Sequence, residues 1–223
     1  MVIKKENERK NLLYLVSFSA GGLFGDTFIH LIPEVVNEMG FTLDVSVYIL
    51  AGIISSFIVE KVLQWRHCHV PTSDDHPHTF AYMNLFGDAV HNFMDGAIIA
   101  GSYITNLHLG IATTIAVIFH EIPQEMGDFG VLIYGGFKIS KAVLYNFVTA
   151  TVAIVGVLFT LFIGSFVENL NLFLIPFAAG GFIYIAGSDL IPELHKEAEI
   201  STSLLQLLAF IAGIVVIFSL IFI

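Results

Sequence analysis

The chain has 223 residues, 56% of them hydrophobic and 13% charged, well below the roughly 25% charged residues of soluble domains. That composition, with 21 phenylalanines, exceeds what one soluble core can hide and points to a bilayer as the solvent. A net charge of −10 excludes nucleic acid as a natural partner, and a single cysteine, Cys68, excludes an intrachain disulfide framework.

The polar start, Met1 to Lys10, has no small-residue cleavage site behind it, so no signal peptide is expected. Seven apolar segments of membrane-spanning length follow. They run Leu12–Ile32, Val45–Trp65, Phe80–Tyr103, Leu109–Gly135, Lys141–Phe166, Leu172–Leu194 and Leu204–Ile223. The expected fold is all-α and polytopic. Residues 12–66 form a first unit, 80–135 a central helix pair and 141–223 a second unit, all in one transmembrane domain. The longest connection is a histidine-containing loop at residues 67–79.

All nine basic residues flank these segments on one side when the crossings are counted. Lys4, Lys5, Arg9 and Lys10 precede the first segment. Lys61 and Arg66 border the 67–79 loop, Lys138 and Lys141 the next connection on that side, and Lys196 follows the sixth segment. The positive-inside rule makes that side cytoplasmic, with the N-terminus inside and the C-terminus outside. The expected location is the cell membrane, plasma or inner.

The first and sixth segments share a pattern. Phe18 to Glu34 aligns without a gap on Phe177 to Glu193, matching Phe18, Ala20, Gly21, Gly22, Leu31, Ile32, Pro33 and Glu34. Segments five apart cross in opposite directions, so this is expected to be an inverted-topology repeat, a frequent construction in secondary transporters. The seventh segment then corresponds to the second. The fifth has no counterpart before the first, so one N-terminal helix is expected to be missing from the sequence as given.

The central pair carries the chemistry. Asp88, His91, Asn92 and Asp95 are spaced i, i+3, i+4, i+7 and share a helix face, with Asn84 one turn before. On the following segment His120, Gln124 and Asp128 form a stripe, with Glu121 and Glu125 beside it. At 1.5 Å per residue His91 lies roughly 17 Å into its helix, near the bilayer midplane. Neither segment holds a Lys or Arg. An ionised carboxylate at that depth needs compensation, so a metal ion, protons or both are expected there. Imidazole beside carboxylate and amide oxygen suits Zn²⁺, with Fe²⁺ or Mn²⁺ as further options. The absence of thiolates argues against a tight structural site. Pro123 removes a backbone donor and is expected to loosen the helix beside the site.

Other polar positions mark a possible path. Asp26 and His30 fall toward the outer mouth, Asp189 and Glu193 toward the inner one, and Asn146 could add a ligand. Pro33-Glu34 and Pro192-Glu193 read equally well as helix stops at the interface. His67, Cys68, His69, His76 and His78 could capture metal in the cytoplasmic loop, or the loop is a plain solvated linker.

His91-Asn92-Phe93-Met94-Asp95-Gly96 and His120-Glu121-Ile122-Pro123-Gln124-Glu125-Met126-Gly127-Asp128-Phe129 resemble the signature of the ZIP (Zrt/Irt-like) metal transporters. Gly25-Asp26 and His30-Leu31-Ile32-Pro33-Glu34 extend the likeness over nearly the whole chain. The resemblance implies eight helices in a 3+2+3 arrangement, of which the first is missing here, and often a homodimer. It implies a paired metal site of His91, Asn92, Asp95, His120, Glu121 and Gln124, with Asp26 and His30 near the outer mouth. Gln124 departs from the HEIPHE of the most similar subgroup, which has a second histidine there. The implied function is transport of Zn²⁺ toward the cytoplasm, with the ion as cargo and no resident cofactor. An intramembrane zinc hydrolase is the alternative, although the HExxH pattern such a protease wants is broken at Gln124.

Overall fold

The computed structural model describes residues 2–67, 77–105, 107–163 and 170–220. The described residues contain helices and no strand. A first rod comprises α1 (Val2–Gly25), a π-helical stretch Asp26–Leu31 and α2 (Ile32–Met39). It is followed by α3 (Leu43–His67), α4 (Thr79–Thr105), α5 (Leu107–Tyr134), α6 (Ile139–Ala150) and α7 (Val152–Ile163). Then come α8 (Leu170–Tyr184), a second π-helical stretch Ile185–Leu190, α9 (Ile191–Leu194) and α10 (Ile200–Leu220).

Among the described residues, five helical stretches are long and apolar enough to cross a membrane: Asn11–Met39, Leu43–Val62, Ile139–Phe162, Leu172–Leu194 and Ile200–Ser219. The protein is therefore an all-α integral membrane protein. α4 and α5, at 27 and 28 residues, have the length to span, and they carry the polar clusters. Burial supports the same reading, because it is inverted relative to a soluble protein. Asp26, Asn84, Asp88, His91, Asn92, Asp95 and Asp128 are buried, while Leu50, Ile54, Ile118, Ile122, Phe147, Phe162 and Leu208 are exposed.

Prolines explain the two π-helical stretches. Pro33 has no N–H for the carbonyl of Ile29, and in an α-helix its ring would strike that carbonyl. A wider turn just before it relieves the clash and keeps the rod continuous. Pro192 stands in the same relation to Ser188. The two stretches occupy equivalent places in the sequence repeat, since Asp26–Leu31 aligns with Ile185–Leu190. The first rod continues beyond Pro33 and stops at Gly40, whose φ of 70° is the left-handed conformation that ends helices. α5 runs unbroken through Pro123. The fifth predicted segment divides at Thr151 into α6 and α7.

α1 lies against α10, α3 against α8, α4 against both α5 and α7, and α1 against α5. Backbones meet closely at glycines. A Cβ on Gly21 would lie 2.0 Å from the carbonyl oxygen of Phe210, and one on Gly213 would lie 2.2 Å from that of Phe18. The α3–α8 pair repeats the arrangement, with Gly180 against Ile49 and Gly52 against Phe177. Small residues allow this approach where lipid supplies no hydrophobic drive between helices. Ser17 also donates to the Gln206 carbonyl at 2.6 Å, tying α1 to α10.

Candidate metal centre

α4 and α5 lie side by side and turn their polar faces toward each other. The spacing of Asp88, His91, Asn92 and Asp95 puts all four on that face of α4, and each is buried. The His91 ring packs on Phe182 of α8, centroid to centroid 5.2 Å, which fixes it from behind. Its Nε2 stands 3.5 Å from an Asp95 oxygen and 3.2 Å from Glu121 Oε1 across the helix interface. One ligand atom from each of His91, Asp95 and Glu121 falls within 4.8 Å of the others, close enough to share one metal ion.

A second group adjoins the first. Asp88, Glu121 and Glu125 also bring one oxygen each to within 4.8 Å of one another. Asn92 donates its amide to Asp88 Oδ1 at 2.8 Å and to the Asp88 carbonyl at 3.2 Å. One turn further, Asn84 donates to Asp128 Oδ1 at 2.9 Å. Asn146 of α6 donates to the Glu125 carbonyl at 3.1 Å. A cavity between α1, α4, α5 and α10 is lined on its polar side by Asn84, Asp88, His91, Gln124 and Asp128. Phe18, Phe182 and Ile217 supply its apolar wall.

Asp26, His30 and Glu34 form a ladder on the first rod. His30 Nδ1 is 2.9 Å from Asp26 Oδ1, and Nε2 is 3.5 Å from Glu34. Asp26 is within electrostatic range of His91, and Glu34 of Asp95. The ladder thus neighbours the central pair. Asp189 and Glu193 form another group. Glu193 accepts from Tyr134 at 3.4 Å and from Lys196, and Asp189 has Glu60 and Glu193 for neighbours. Glu60 accepts a short hydrogen bond from Tyr184.

The sequence reading overlooked Glu60. A lone acid in an otherwise apolar segment was the signal available for it. His78 is exposed, its ring stacked on Phe80 at 5.5 Å. The side chains of His120 and His67, and all of Cys68, His69 and His76, lie outside the described residues.

These features define an all-α membrane protein whose buried centre gathers imidazole and carboxylate, with no Lys or Arg on either helix that supplies them. The model of the ZIP zinc transporter family matches residues 67–221. Zinc transporter zipt-7.1 of Caenorhabditis briggsae is 32% identical, over 91% of this chain and 69% of its own length. Zinc transporter ZIP13 of Pongo abelii is 32% identical, over 96% of this chain and 68% of its own. Zinc transporter YKE4 of Saccharomyces cerevisiae is 34% identical, over 87% and 65%. The chain belongs to the ZIP zinc transporter family.

Proposed function

We propose that this chain carries Zn²⁺ across the membrane toward the cytoplasm, and that the ion passes through the pocket of His91, Asp95 and Glu121. Family membership makes it a divalent-metal transporter and not an enzyme. The observation that carries the route is electrostatic. Asp95 and Glu121 converge on His91 inside the helix bundle, and α4 and α5 contain no Lys or Arg. Each uncompensated carboxylate at that depth costs on the order of 3 kcal/mol. A divalent cation removes that penalty for both carboxylates at once. Asn92, His120 and Gln124 complete the ligand set in this reading.

The same reading takes all seven segments as spans, α4 and α5 included, with the basic residues on the cytoplasmic side. The first rod and the α8–α9 rod are then the two halves of an inverted repeat. Their matched π-helical stretches, and the matched glycine contacts of Gly21 and Gly180, support this. Asp26 and His30 stand toward the outer mouth and Asp189 and Glu193 toward the inner one. The exposed apolar belt faces lipid.

The test is flux. Purified protein in liposomes loaded with a zinc-sensitive dye should give saturable Zn²⁺ entry above protein-free vesicles. Entry no faster than in protein-free vesicles would refute the proposal. Gln124→His adds an imidazole to the ligand set. It should tighten Zn²⁺ binding roughly tenfold and lower both KM and maximal rate, because a tighter ion leaves more slowly. An unchanged KM would remove Gln124 from the site.

A further inference from the structure

We propose that the chain exchanges zinc for a proton, and that the proton travels on the Asp128 carboxyl. The inference rests on the reading of the His91 pocket as the transport site and adds a second, opposite flux to it.

Geometry carries the argument first. Asp128 of α5 is buried and lines the same cavity as His91. Asn84 of α4 donates to its Oδ1 at 2.9 Å, which fixes the carboxyl in place. It lies two helical turns from Glu121, about 10 Å along the axis, and so falls outside the group of His91, Asp95 and Glu121.

Charge supplies the second observation. The titratable groups facing Asp128 are Asp88 from α4 and Glu121 and Glu125 from its own helix, all of them acids. The other elements around the cavity present Phe18, Ser19 and Leu23 from α1 and Val216 and Ile217 from α10, none of which carries a charge. Neither α4 nor α5 has a Lys or Arg. His91 is engaged with Asp95 and Glu121, and a divalent ion there balances only those two carboxylates. Asp128 is left without a fixed positive partner at a depth where an ionised acid is costly. A proton is the remaining means of neutralising it.

The two cations then oppose each other. Zinc beside His91 places two positive charges near Asp128 and favours loss of its proton. By linkage the proton weakens zinc binding by the same factor. Zinc arriving from the outer mouth expels the proton outward. Zinc leaving on the inner side lets Asp128 take a proton from the cytoplasm. Each cycle moves one Zn²⁺ in and one H⁺ out, a net single positive charge inward. No electron is transferred, and the only bond made and broken besides those to the metal is the O–H of Asp128.

The experiment uses the whole protein in liposomes with a pH dye in the lumen and the membrane potential clamped at zero by potassium and valinomycin. Adding Zn²⁺ to the wild type should make the lumen more alkaline. A lumen about one pH unit more acidic than the bath should drive ⁶⁵Zn accumulation toward about tenfold above the bath, the limit for one proton per ion, and a protonophore should abolish it. Asp128→Asn keeps an acceptor for Asn84 but holds no exchangeable proton. It should still exchange ⁶⁵Zn for unlabelled zinc across the membrane, yet lose both the lumenal pH change and the accumulation. Asp128→Glu restores a titratable carboxyl and should accumulate zinc again. If the wild type takes up zinc with no lumenal pH change and no response to the gradient, the exchange does not exist and the transport reading stands. If Asp128→Asn accumulates zinc as the wild type does, Asp128 is not the carrier. If the wild type moves no ⁶⁵Zn at all, the transport reading fails and the exchange falls with it.

Discussion

His91→Ala is expected to lower Zn²⁺ uptake roughly 10–100-fold, the scale on which altered metal-site residues reduce affinity or activity, with the protein still inserted in normal amount. The ring is buried, packed on Phe182 and placed between Asp95 and Glu121. Its loss removes the nitrogen ligand and leaves two carboxylates facing each other without their imidazole. The truncation also opens a small void beside Phe182, so a second variant separates ligand from packing. Asp95→Asn preserves side-chain volume and removes only the negative charge. It should raise the KM for zinc by a similar factor. The measurement is the initial rate of uptake, normalised to the quantity of protein in the membrane. Normal transport by either variant would displace the site from this pocket.

The other large effect is structural. Gly52→Val and Gly180→Leu should destabilise the folded protein, because a Cβ at these positions would lie 1.9 Å and 2.0 Å from the carbonyl oxygens of Phe177 and Ile49. Those oxygens belong to backbone, which cannot rotate aside, so α3 and α8 must separate along their shared face. Overpacking of this kind costs about 1–3 kcal/mol or more. A chain of this size loses about 2–4 °C of melting temperature per kcal/mol, so thermal unfolding in detergent should shift downward by about 2–12 °C. Gly101→Ala is the control, since a Cβ there meets no atom within 4 Å. It should melt as the wild type does. Equal melting of all three would show that the α3–α8 contact is looser than described.

Much of the fold was legible because a membrane helix announces itself by length and hydropathy. The apolar runs placed α3, the rod from α8 to α9, and α10 close to their observed limits. Boundaries failed where hydropathy and helicity part company. α1 begins at Val2, ten residues before the apolar run, because Lys, Glu and Arg are good helix formers even where lipid is absent. The first rod continues past Pro33 because a wider turn absorbs the proline. That solution is written in geometry and has no residue signature of its own. The break at Thr151 gave no signal, since β-branched residues on both sides suit a continuous apolar helix equally well.

The candidate centre was legible to a similar degree. Helical spacing put Asp88, His91, Asn92 and Asp95 on one face, and it placed Glu121 and Gln124 on a neighbouring helix. Spacing could not tell which acid of α5 meets which acid of α4, because that depends on helix register and rotation. The structure supplies the pairing: Glu121 with His91, Asn84 with Asp128, and Glu125 with Asp88. Glu60 was missed because its partner, Tyr184, lies 124 residues away and is a poor marker of a polar site.

The central claim is that a mobile cation balances the carboxylates around His91. A zinc-edge anomalous difference map of crystals grown with Zn²⁺ tests it most directly. The expected result is a peak bounded by His91, Asp95 and Glu121 that vanishes in Asp95→Asn crystals. A pocket that stays free of anomalous density at saturating zinc, with its carboxylates simply protonated against one another, would contradict it.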